Sequence, residues 1–441
     1  MIVGGGFGGL QAARGLARAR VRVTLVDRQN HHLFQPLLYQ VATAALSPAQ
    51  IAAPLRQILA RQRNCRVLMA EAARVDPGRR RLLLQDGELA WDWLVLAAGA
   101  THSYFGNDAW APFAPGLKTL DDALEVRRRI LGAFERAERR ASPAEQKADL
   151  TFVVVGGGAT GVEMAGAIRE IAVHALERDF RAVDTRQVQV VLVEAQPRIL
   201  AAGFPERLSA RAADDLQRMG VVVRTGCRVV GIDAGGVALR GPDGGEERIA
   251  TSNVVWAAGV LASPLATSLG VGLDRAGRVE VLPDLSVPGH PGVFVIGDMA
   301  RVLDPRTGQQ VPGIAPAAMQ MGDFVARQIK EDVRRGRPPD PAVRPAFRYR
   351  DKGMLATIGR ARAVALVWGR GFAGLLAWLL WAGVHINYLV TFRQRVLVFL
   401  DWIWSYVFRQ AGARLITGVE GPRGAAGGKL PLPPARAADR S

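Results

Sequence analysis

The sequence predicts an α/β fold in which a strand, a glycine-rich loop and a helix occur twice in the same order. Three observations lead to this prediction: two loops have the spacing GxGxxG, an aliphatic run precedes each loop, and a later strand ends in an acidic residue each time. The loop glycines are Gly4, Gly6 and Gly9 in the first copy and Gly156, Gly158 and Gly161 in the second. The acidic residues are Asp27 and Glu194. A repeat bounded by strands is far more specific than one loop, so we expect two dinucleotide-binding units of the Rossmann type.

The first loop lies at the beginning of the sequence. The backbone N–H groups of such a loop approach a pyrophosphate closely, and the start of the following helix favours its negative charge. Asp27 comes 23 residues after Gly4, at the spacing where a carboxylate bonds ribose hydroxyls. A plain structural turn is the alternative. Only three residues precede Gly4, whereas strands usually have about five, so either the start lies a few residues late or the first strand is short and less stable.

The second unit has a longer connection between its loop and its acidic residue. The interval from Gly156 to Glu194 is 38 residues, because a helical stretch from Arg169 to Asp184 is interposed. The strand from Val254 to Gly259 takes the same part as the strand from Leu94 to Gly99 in the first unit. Both strands end in small residues, where a backbone can approach a bound nucleotide.

Two further elements follow the second unit. The strand from Val293 to Asp298 ends in Gly297 and Asp298, which presents a carboxylate to a sugar-like chain in the crevice of a sheet. A helix N-cap is the alternative for this aspartate. Another helix begins near Ile314, and Pro316 suits its first turn.

Other segments have weaker signals. The patterns predict a helix from Ser47 to Leu59, a hairpin from Arg79 to Gly87, a helix from Asp121 to Arg140 and a linker from Arg334 to Pro345. We expect the second helix to carry Arg127, Arg128 and Arg129 on a solvated face. The adjacent His31 and His32 favour a packed loop, or a loop beside a cofactor, over a metal site, because neighbours in sequence rarely face one ion.

Composition narrows the class of protein. A chain of 441 residues is long enough for about three domains. Only Cys65 and Cys227 are present, so a disulfide framework and a cysteine metal site are not expected. No charged segment with a following apolar run precedes the first loop, and we expect no signal peptide.

The basic charge is concentrated near the end of the sequence. The chain has a net charge of +17, and 14 basic but only 4 acidic residues follow from Phe347 onward. Five of the nine tryptophans lie in the same region. Basic charge with interfacial aromatic residues favours an anionic membrane surface. Nucleic acid is the rival partner, but no nucleic-acid-binding motif is present, so we expect none.

The C-terminal region combines two apolar segments. Residues 372–392 have no formal charge over 21 residues, which is long enough to span a bilayer, although His385 and Asn387 argue against spanning. In the next segment, residues 396–409, an interfacial helix pattern predicts a narrow polar stripe opposite an apolar face. The stripe consists of Gln394, Asp401, Ser405 and Arg409, and the apolar face of Val396, Leu400, Ile403, Trp404 and Val407. We expect a helix lying on the membrane, with spanning as the alternative, and a disordered tail over residues 419–441.

Taken together, these motifs resemble the type II NADH dehydrogenases, single-subunit NADH:quinone oxidoreductases of the two-dinucleotide-binding flavoprotein superfamily. The resemblance covers about residues 1 to 412 and rests on 4–10, 32–40, 153–163, 255–260, 293–298, 315–320, 351–360 and the tryptophan-rich end. It implies a glutathione-reductase-like fold with a C-terminal amphipathic helical membrane-anchoring region. The implied domains are FAD-binding in residues 1–118 and 282–345, NADH-binding in 119–281, and membrane association in 346–418.

The resemblance also implies the cofactor sites. FAD would contact Gly4, Gly6, Phe7, Gly9, Asp27, Ala98, Gly99, Gly297, Asp298 and Ala317, and NADH would contact Gly156, Gly158, Gly161, Glu194 and Gly259. A carboxylate at Glu194 accepts from a free 2′-hydroxyl and repels a 2′-phosphate, so we expect NADH rather than NADPH. No metal is expected.

Three residues are catalytic candidates by the same resemblance. Glu163 would lie near nicotinamide and flavin, where a low-dielectric environment raises the pKa of a carboxyl; an ordinary first-turn acid is the alternative. The family's AQxAxQ pattern keeps its second glutamine as Gln320 but has Pro316 in place of the first, so only Gln320 carries over as a quinone contact. Lys352 matches a lysine near the flavin, with an ordinary surface lysine as the alternative.

The implied activity is transfer of a hydride from NADH to FAD and of two electrons to a membrane quinone, without proton pumping. The implied location is the cytoplasmic face of the cell membrane, in a peripheral manner, and a homodimer stays open. A sulfide:quinone oxidoreductase shares the fold but needs reactive cysteines beside the flavin. A reductase of a soluble electron carrier leaves the tryptophan-rich end unexplained, and a non-enzymatic flavin-binding membrane protein is the third alternative.

Overall fold

The computed structural model describes residues 1–336, 341–408 and 412–417. The chain forms two compact units. The first consists of Met1–Leu33, Ala52–Ser103 and Val260–Lys352. The second consists of Phe34–Ile51, Tyr104–Gly259 and the described residues from Gly353 onward. The predicted disordered tail and Arg409 lie outside the described residues, so those expectations stay predictions.

The helices are α1 (Phe7–Gly15), α2 (Leu38–Ala42), α3 (Pro48–Ile51), α4 (Leu55–Ile58), α5 (Leu120–Glu138), α6 (Pro143–Asp149), α7 (Ala159–Glu170), α8 (Glu206–Arg218), α9 (Ala315–Arg335), α10 (Leu375–Tyr388) and α11 (Phe392–Phe408). The strands are β1 (Ile2–Val3), β2 (Val23–Asp27), β3 (His31–Leu33), β4 (Ala52–Pro54), β5 (Cys65–Met69), β6 (Ala72–Asp76), β7 (Arg81–Leu84), β8 (Glu88–Ala90), β9 (Leu94–Leu96), β10 (Ala100–His102), β11 (Thr151–Val155), β12 (Gln189–Glu194), β13 (Val221–Thr225), β14 (Arg228–Asp233), β15 (Gly236–Arg240), β16 (Glu246–Ala250), β17 (Asn253–Trp256), β18 (Val260–Ala262), β19 (Val279–Glu280), β20 (Ser286–Val287), β21 (His290–Val295), β22 (Ala300–Arg301), β23 (Met354–Gly359), β24 (Arg362–Val367) and β25 (Arg370–Ala373).

The first unit is built on a sheet with the strand order β20-β21-β9-β1-β2-β5. Strands β21, β9, β1, β2 and β5 are parallel, so their carboxyl ends lie at one edge. Strand β1 is short, as predicted, and it is central: Ile2 is paired with Leu25 on one side and Val95 on the other. A two-residue strand is held here because both of its neighbours are long enough to supply backbone partners.

Helices α1 and α9 pack closely in this unit, and glycines permit their approach. A Cβ added to Gly322 in α9 would lie 2.3 Å from the carbonyl oxygen of Gly8 in α1. A Cβ added to Gly15 would lie 2.6 Å from the Cβ of Ala326. Any larger side chain would therefore force the two helices apart.

The second unit contains the parallel sheet β13-β12-β11-β17, which confirms the predicted repeat. Strand β11 is buried along its whole length, in agreement with its continuous aliphatic run. The antiparallel sheet β23-β24-β25 and helices α10 and α11 complete the unit. In the part of the chain that the structure describes, every helix is too short or too polar to cross a membrane.

Three expectations about secondary structure were wrong, and so was one about burial. The stretch predicted to be helical from Arg169 to Asp184 is helical only as far as Ala175. The helix predicted from Ser47 to Leu59 is divided into α3, β4 and α4, because Ala52–Pro54 pairs with His31–Leu33 as an antiparallel strand. The predicted linker contains Arg344, which is buried and ion-paired with Asp284 and Asp332. Helix α9 also continues to Arg335, inside the predicted linker.

The error about burial concerns the expected solvated face of α5. Arg127 is only 4% exposed. It follows the buried Ala123 by four residues and precedes the buried Leu131 by four, so it lies on the apolar stripe of the helix. Arg128 and Arg129 are partly exposed, in agreement with the expectation, and pair with Glu125.

Two residues of the polar stripe of α11 form hydrogen bonds with α3, and the apolar face of the helix is exposed. Gln394 is buried and donates to the carbonyl oxygen of Ala49, and Asp401 accepts from the side chain of Gln50. The large hydrophobic side chains exposed on this helix are Phe392, Val396, Leu397, Phe399, Leu400, Ile403, Trp404, Tyr406, Val407 and Phe408. The predicted hairpin is also confirmed, since β7 and β8 pair across Asp86 and Gly87.

Candidate functional site

Each glycine of the first loop has a different physical reason to be glycine. Gly4 has φ +102°, and a Cβ there would lie 2.3 Å from the carbonyl oxygen of Ala97. A Cβ on Gly9 would lie 1.9 Å from the carbonyl oxygen of Gly4, so this position permits the close approach of α1 to the loop. Around Gly6 nothing lies within 4 Å of an added Cβ, and α1 begins directly after it without a side-chain cap. The open space above an uncapped helix start fits a pyrophosphate.

The second loop repeats this arrangement. Gly156 has φ +109°, and a Cβ there would lie 2.8 Å from the backbone of Ala257. A Cβ on Gly161 would lie 1.8 Å from the carbonyl oxygen of Gly156, whereas the space at Gly158 is open. Helix α7 also begins without a side-chain cap. Both loops therefore fit a pyrophosphate at their middle glycine.

The acidic residues at the ends of β2 and β12 hold their loops in the same way. Asp27 accepts hydrogen bonds from the backbone N–H groups of Gly5 at 2.5 Å and Gln29 at 2.7 Å. Glu194 accepts from the backbone N–H groups of Gly157 at 2.6 Å and Gln196 at 2.7 Å. Burial raises the pKa of Asp27, and the two backbone hydrogen bonds lower it. A carboxylate has about four acceptor positions, so both residues retain acceptors for ribose hydroxyls.

The other predicted contacts of the first unit lie at the same edge of its sheet. Ala98 and Gly99 follow β9, and Gly297 and Asp298 follow β21, two neighbouring parallel strands. Gly99 and Gly297 both have φ near +70°, at +70° and +67°. Two of the backbone N–H groups donate to methionine sulfur atoms: Ala98 to Sδ of Met299 and Gly297 to Sδ of Met321, each with an N–S distance of 3.2 Å.

Phe7 and Ala317 lie at the beginnings of two helices in this unit. Phe7 is the first residue of α1, and its ring contacts the edge of His32 at 5.1 Å between centroids. His32 is buried beneath the loop and bonds the carbonyl oxygen of Gly5 through Nδ1 at 2.9 Å. Ala317 is buried in the first turn of α9, which begins with Pro316 near its start as predicted.

Gln320 and Lys352 are linked through the backbone that precedes the lysine. Nε2 of Gln320 donates to the carbonyl oxygen of Arg350 at 2.9 Å, and the N–H of Arg350 donates to Oε1 of Gln320 at 3.0 Å. Lys352 is exposed two residues later. The amide of Gln320 therefore positions the backbone segment that leads to Lys352, in addition to any contact with a substrate.

In the second unit, Gly259 follows β17 and has φ +69°. Glu163 is 8% exposed, and burial raises the pKa of its carboxyl to about 8. The backbone N–H of Thr357 in β23 donates to it at 3.4 Å, a long hydrogen bond that lowers the pKa slightly. At neutral pH this carboxyl is therefore protonated, and it can donate as well as accept a proton.

A glycine brings helix α7 against β23. A Cβ on Gly166 would lie 1.8 Å from the carbonyl oxygen of Ile358. Glu163 and Glu170 stand on the same face of α7, and Glu170 accepts from the backbone N–H of Arg360 at 2.5 Å. The spacing of the two glutamates around a glycine, at i, i+3 and i+7, is a signal in the sequence that could have predicted this contact.

Comparison with known proteins decides the family. The chain matches the model of the pyridine nucleotide-disulphide oxidoreductases over residues 1–322 and that of the NDH2 C-terminal domain over residues 352–410. It is 45% identical to the type II NADH:quinone oxidoreductase Ndh of Mycobacterium tuberculosis over 425 residues, which cover 95% of this chain and 90% of that protein. The chain belongs to the type II NADH:quinone oxidoreductases. This membership confirms the resemblance seen in the sequence.

Other type II NADH:quinone oxidoreductases and related structures agree in sequence or fold. NdhA of M. tuberculosis is 46% identical over 95% of this chain and 89% of its own length. The solved structure of NDH2 from Plasmodium falciparum in complex with NADH has a TM-score of 0.83 at 19% identity, covering 93% of this chain and 98% of that one. The sulfide:quinone oxidoreductase from Aquifex aeolicus has a TM-score of 0.70 at 18% identity, covering 92% and 95%, and this likeness concerns the fold alone.

The sequence did not lead us to expect that Arg127 is buried in this oxidoreductase and bonded to backbone carbonyl groups. Arg127 donates to the carbonyl oxygens of Val41 at 2.7 Å, Leu46 at 2.9 Å and Ala413 at 3.2 Å. Burial lowers the pKa of its guanidinium. A basic residue on the apolar stripe of a helix is the signal that could have identified Arg127.

Proposed function

We propose that the first unit binds FAD and the second binds NADH, and that electrons from NADH pass through the flavin to a membrane quinone. The observation that carries this proposal is the repeated loop, in which the middle glycine of each copy leaves open space over an uncapped helix start. Each copy is completed by a carboxylate beside the loop, Asp27 and Glu194. FAD, when bound, supplies a two-electron centre that accepts a hydride and passes electrons on.

The residues of the first unit bind and orient the flavin nucleotide in this proposal. The loop at Gly6 and the start of α1 hold the pyrophosphate, and Asp27 accepts from a ribose. Asp298, at the end of the strand next to β9, accepts from the hydroxyls of the flavin's sugar-like chain. Ala317 lies in the first turn of α9, and the positive dipole end of this helix stabilises negative charge.

The second unit selects the hydride donor. Glu194 is at the end of β12 and repels a 2′-phosphate, which favours NADH over NADPH. Gly158 receives the pyrophosphate, and the small residue Gly259 permits close approach of the backbone. Glu163 is protonated at neutral pH and can hold or release one proton during turnover.

We also propose that α10 and α11 attach the enzyme peripherally to an anionic membrane surface from the cytoplasmic side. The support is the run of apolar side chains exposed on α11, among them Trp404 at 54% and Val407 at 62%. Leu375, Leu376 and Leu379 are exposed on α10 in the same way. Such a large exposed apolar area is typical of a membrane or protein interface, and basic residues beside it favour anionic lipid.

One anaerobic experiment tests the electron path. Purified protein is mixed with NADH and the flavin absorbance is followed; then a menaquinone or ubiquinone analogue is added. We expect NADH to bleach the flavin and the quinone to restore its absorbance. If NADH leaves the flavin oxidised, the proposed electron path is wrong and a flavin-binding protein without this reaction is favoured.

A further inference from the structure

Helix α11 is joined to the short helix α2 by a hydrogen-bonded chain of three side chains in the second unit. Nε1–H of Trp402 in α11 donates to Oε1 of Gln40 at 2.8 Å. Nε2–H of Gln40 donates to the hydroxyl oxygen of Tyr39 at 2.9 Å. Gln40 and Tyr39 are both buried. Trp402 and Gln40 are 362 residues apart in sequence, so only the tertiary structure brings them together.

The order of donors fixes how the amide of Gln40 is oriented. An indole N–H can only donate, so the oxygen of Gln40 must face Trp402 and its NH₂ group must face Tyr39. The ring of Trp402 is also held, because it is stacked on Trp381 of α10 at 5.2 Å between centroids. The inner end of the chain therefore has one arrangement as long as α11 stays seated.

Further contacts hold the segment that contains α2 against the C-terminal region. The side chain of Gln50 donates to Asp401 of α11, and the N–H of Ala413 donates to the carbonyl oxygen of Ala44 at 3.1 Å. Arg127 donates to the carbonyl oxygens of Val41, in α2, and of Leu46, four residues after α2. Gln394 of α11 also donates to the carbonyl oxygen of Ala49 in this segment, while the apolar face of the helix is left exposed.

The other side of α2 packs against α7, the helix that carries Glu163. Tyr39 is buried, and burial, followed by the charge of Glu163, raises the pKa of its hydroxyl well above the ordinary value, whereas the hydrogen bond with Gln40 lowers it. Tyr39 on α2 is a titratable group that senses the charge of Glu163, and Glu170 lies on the same face of α7, where Arg360 and Arg362 act on it. The high pKa of Glu163 itself results from exclusion of water.

We propose that Gln40 and Trp402 are positioning residues that hold Tyr39 and α2 over the face of α7 bearing Glu163, so that seating of α11 controls access of water to this carboxyl. Helix α11 is thereby coupled to a buried acid through side chains that need not touch substrate. This inference rests on the proposed function only in giving Glu163 a part in turnover.

The test compares variants of the full-length holoenzyme by hydrogen exchange. Gln40→Leu and Trp402→Phe each break the chain, and we expect the backbone amides of residues 38–46 to exchange at least about tenfold faster. In Gln40→Glu the exchange of these amides should stay as slow as in the parent, because a carboxylate accepts from both the indole N–H of Trp402 and the hydroxyl of Tyr39. The matched control is Trp91→Phe, which removes a buried indole N–H that has no acceptor among the described residues.

The second readout is the titration of Glu163, followed by the infrared band of its protonated carboxyl and assigned by its loss in Glu163→Gln. In the parent protein the midpoint is expected at about 8. In Gln40→Leu and Trp402→Phe, water reaches the carboxyl, and the midpoint should fall by about one pH unit or more towards its ordinary value. In Trp91→Phe the midpoint should stay near that of the parent, and in Gln40→Glu it should not fall, because a nearby carboxylate raises the pKa of Glu163.

Unchanged exchange and an unchanged midpoint in Gln40→Leu would overturn the inference. Faster exchange spread evenly over both units would also overturn it, because it would indicate general destabilisation. Full turnover in Glu163→Gln would remove this residue from the proposed catalytic role, yet the exchange and infrared results would still decide whether Gln40 and Trp402 position α2.

Discussion

The side-chain amide of Gln320 is bonded at both ends to the backbone of Arg350, through a donor at 2.9 Å and an acceptor at 3.0 Å. This pair ties α9 to the chain segment that leads to Lys352. A glutamine that we expect to contact quinone therefore also holds a neighbouring segment of backbone through two hydrogen bonds. Its remaining N–H and lone pair are available to a ligand.

Replacement of Gln320 by leucine should release this segment. We expect the KM for quinone to rise about tenfold, with kcat changed less and with flavin reduction by NADH at the parent rate in stopped-flow measurements. Met319→Leu, at the neighbouring position, is the control for changes to α9. A slower reduction by NADH in Gln320→Leu, with unchanged KM for quinone, would contradict a role at the quinone end.

The choice of nicotinamide cofactor should depend on Glu194. In Glu194→Arg the repulsion of a 2′-phosphate is replaced by attraction, so the ratio of kcat/KM for NADPH to that for NADH should rise by at least about tenfold. Because the variant also loses two backbone hydrogen bonds, Glu194→Gln serves as the control that keeps an acceptor. An unchanged ratio in both variants would remove Glu194 from the ribose site.

Glu163 should make the stability of the protein depend on pH. Its pKa is about 8 in the folded chain and near 4.5 when unfolded, so between these values the folded state retains a proton that the unfolded state releases. Its contribution to the free energy of unfolding is therefore full below about pH 4.5, decreases by roughly 3–5 kcal/mol as the pH rises, and levels off above about 8.

Urea unfolding across this pH range checks the expectation. Glu163→Gln should be less sensitive to pH and more stable than the parent above about pH 8. Glu135→Gln, which changes an exposed acid on α5, should follow the parent curve. Parallel curves for the parent and Glu163→Gln would mean that the carboxyl is not held protonated by burial.

The buried ion pairs of Arg344 should stabilise the first unit. Its guanidinium donates to Asp284 at 2.9 Å and Asp332 at 2.6 Å, and all three side chains are almost fully buried. Arg344→Met leaves two buried carboxyls without their cation, and we expect unfolding to become easier by about 3–5 kcal/mol. Arg334→Met on the surface of α9 should change the free energy of unfolding by less than about 1 kcal/mol in the same urea titration.

The exposed apolar face of α11 should bind lipid. In flotation with vesicles of anionic lipid, Leu400→Glu combined with Val407→Glu should weaken binding by at least about tenfold, because two apolar side chains no longer enter the interface. Val222→Glu changes an exposed apolar residue on β13 and should bind like the parent. Complete release of the parent from membranes by salt alone would favour a purely electrostatic attachment.

The glycine loops and their acidic residues could be predicted because their conformations depend on residues close by in the sequence. Gly4 and Gly156 adopt a positive φ, Gly9 and Gly161 meet backbone atoms of their own loops, and a parallel strand ends at Asp27 or Glu194 in each copy. Such spacings are set by the geometry of one strand, one turn and one helix. The roles of these residues in binding FAD and NADH stay predictions.

The sequence by itself therefore determined the repeated α/β units, the family and the position of an amphipathic C-terminal helix. Only the tertiary structure decided that Gln394, Asp401 and Trp402 of this helix bond residues 40–50, that Arg127 is buried, and that Glu163 lies beneath a close helix–strand contact at Gly166. The physical reason is distance along the chain. Periodicity shows which face of a helix is apolar or polar, but the partner that covers that face comes from hundreds of residues away and is selected by packing.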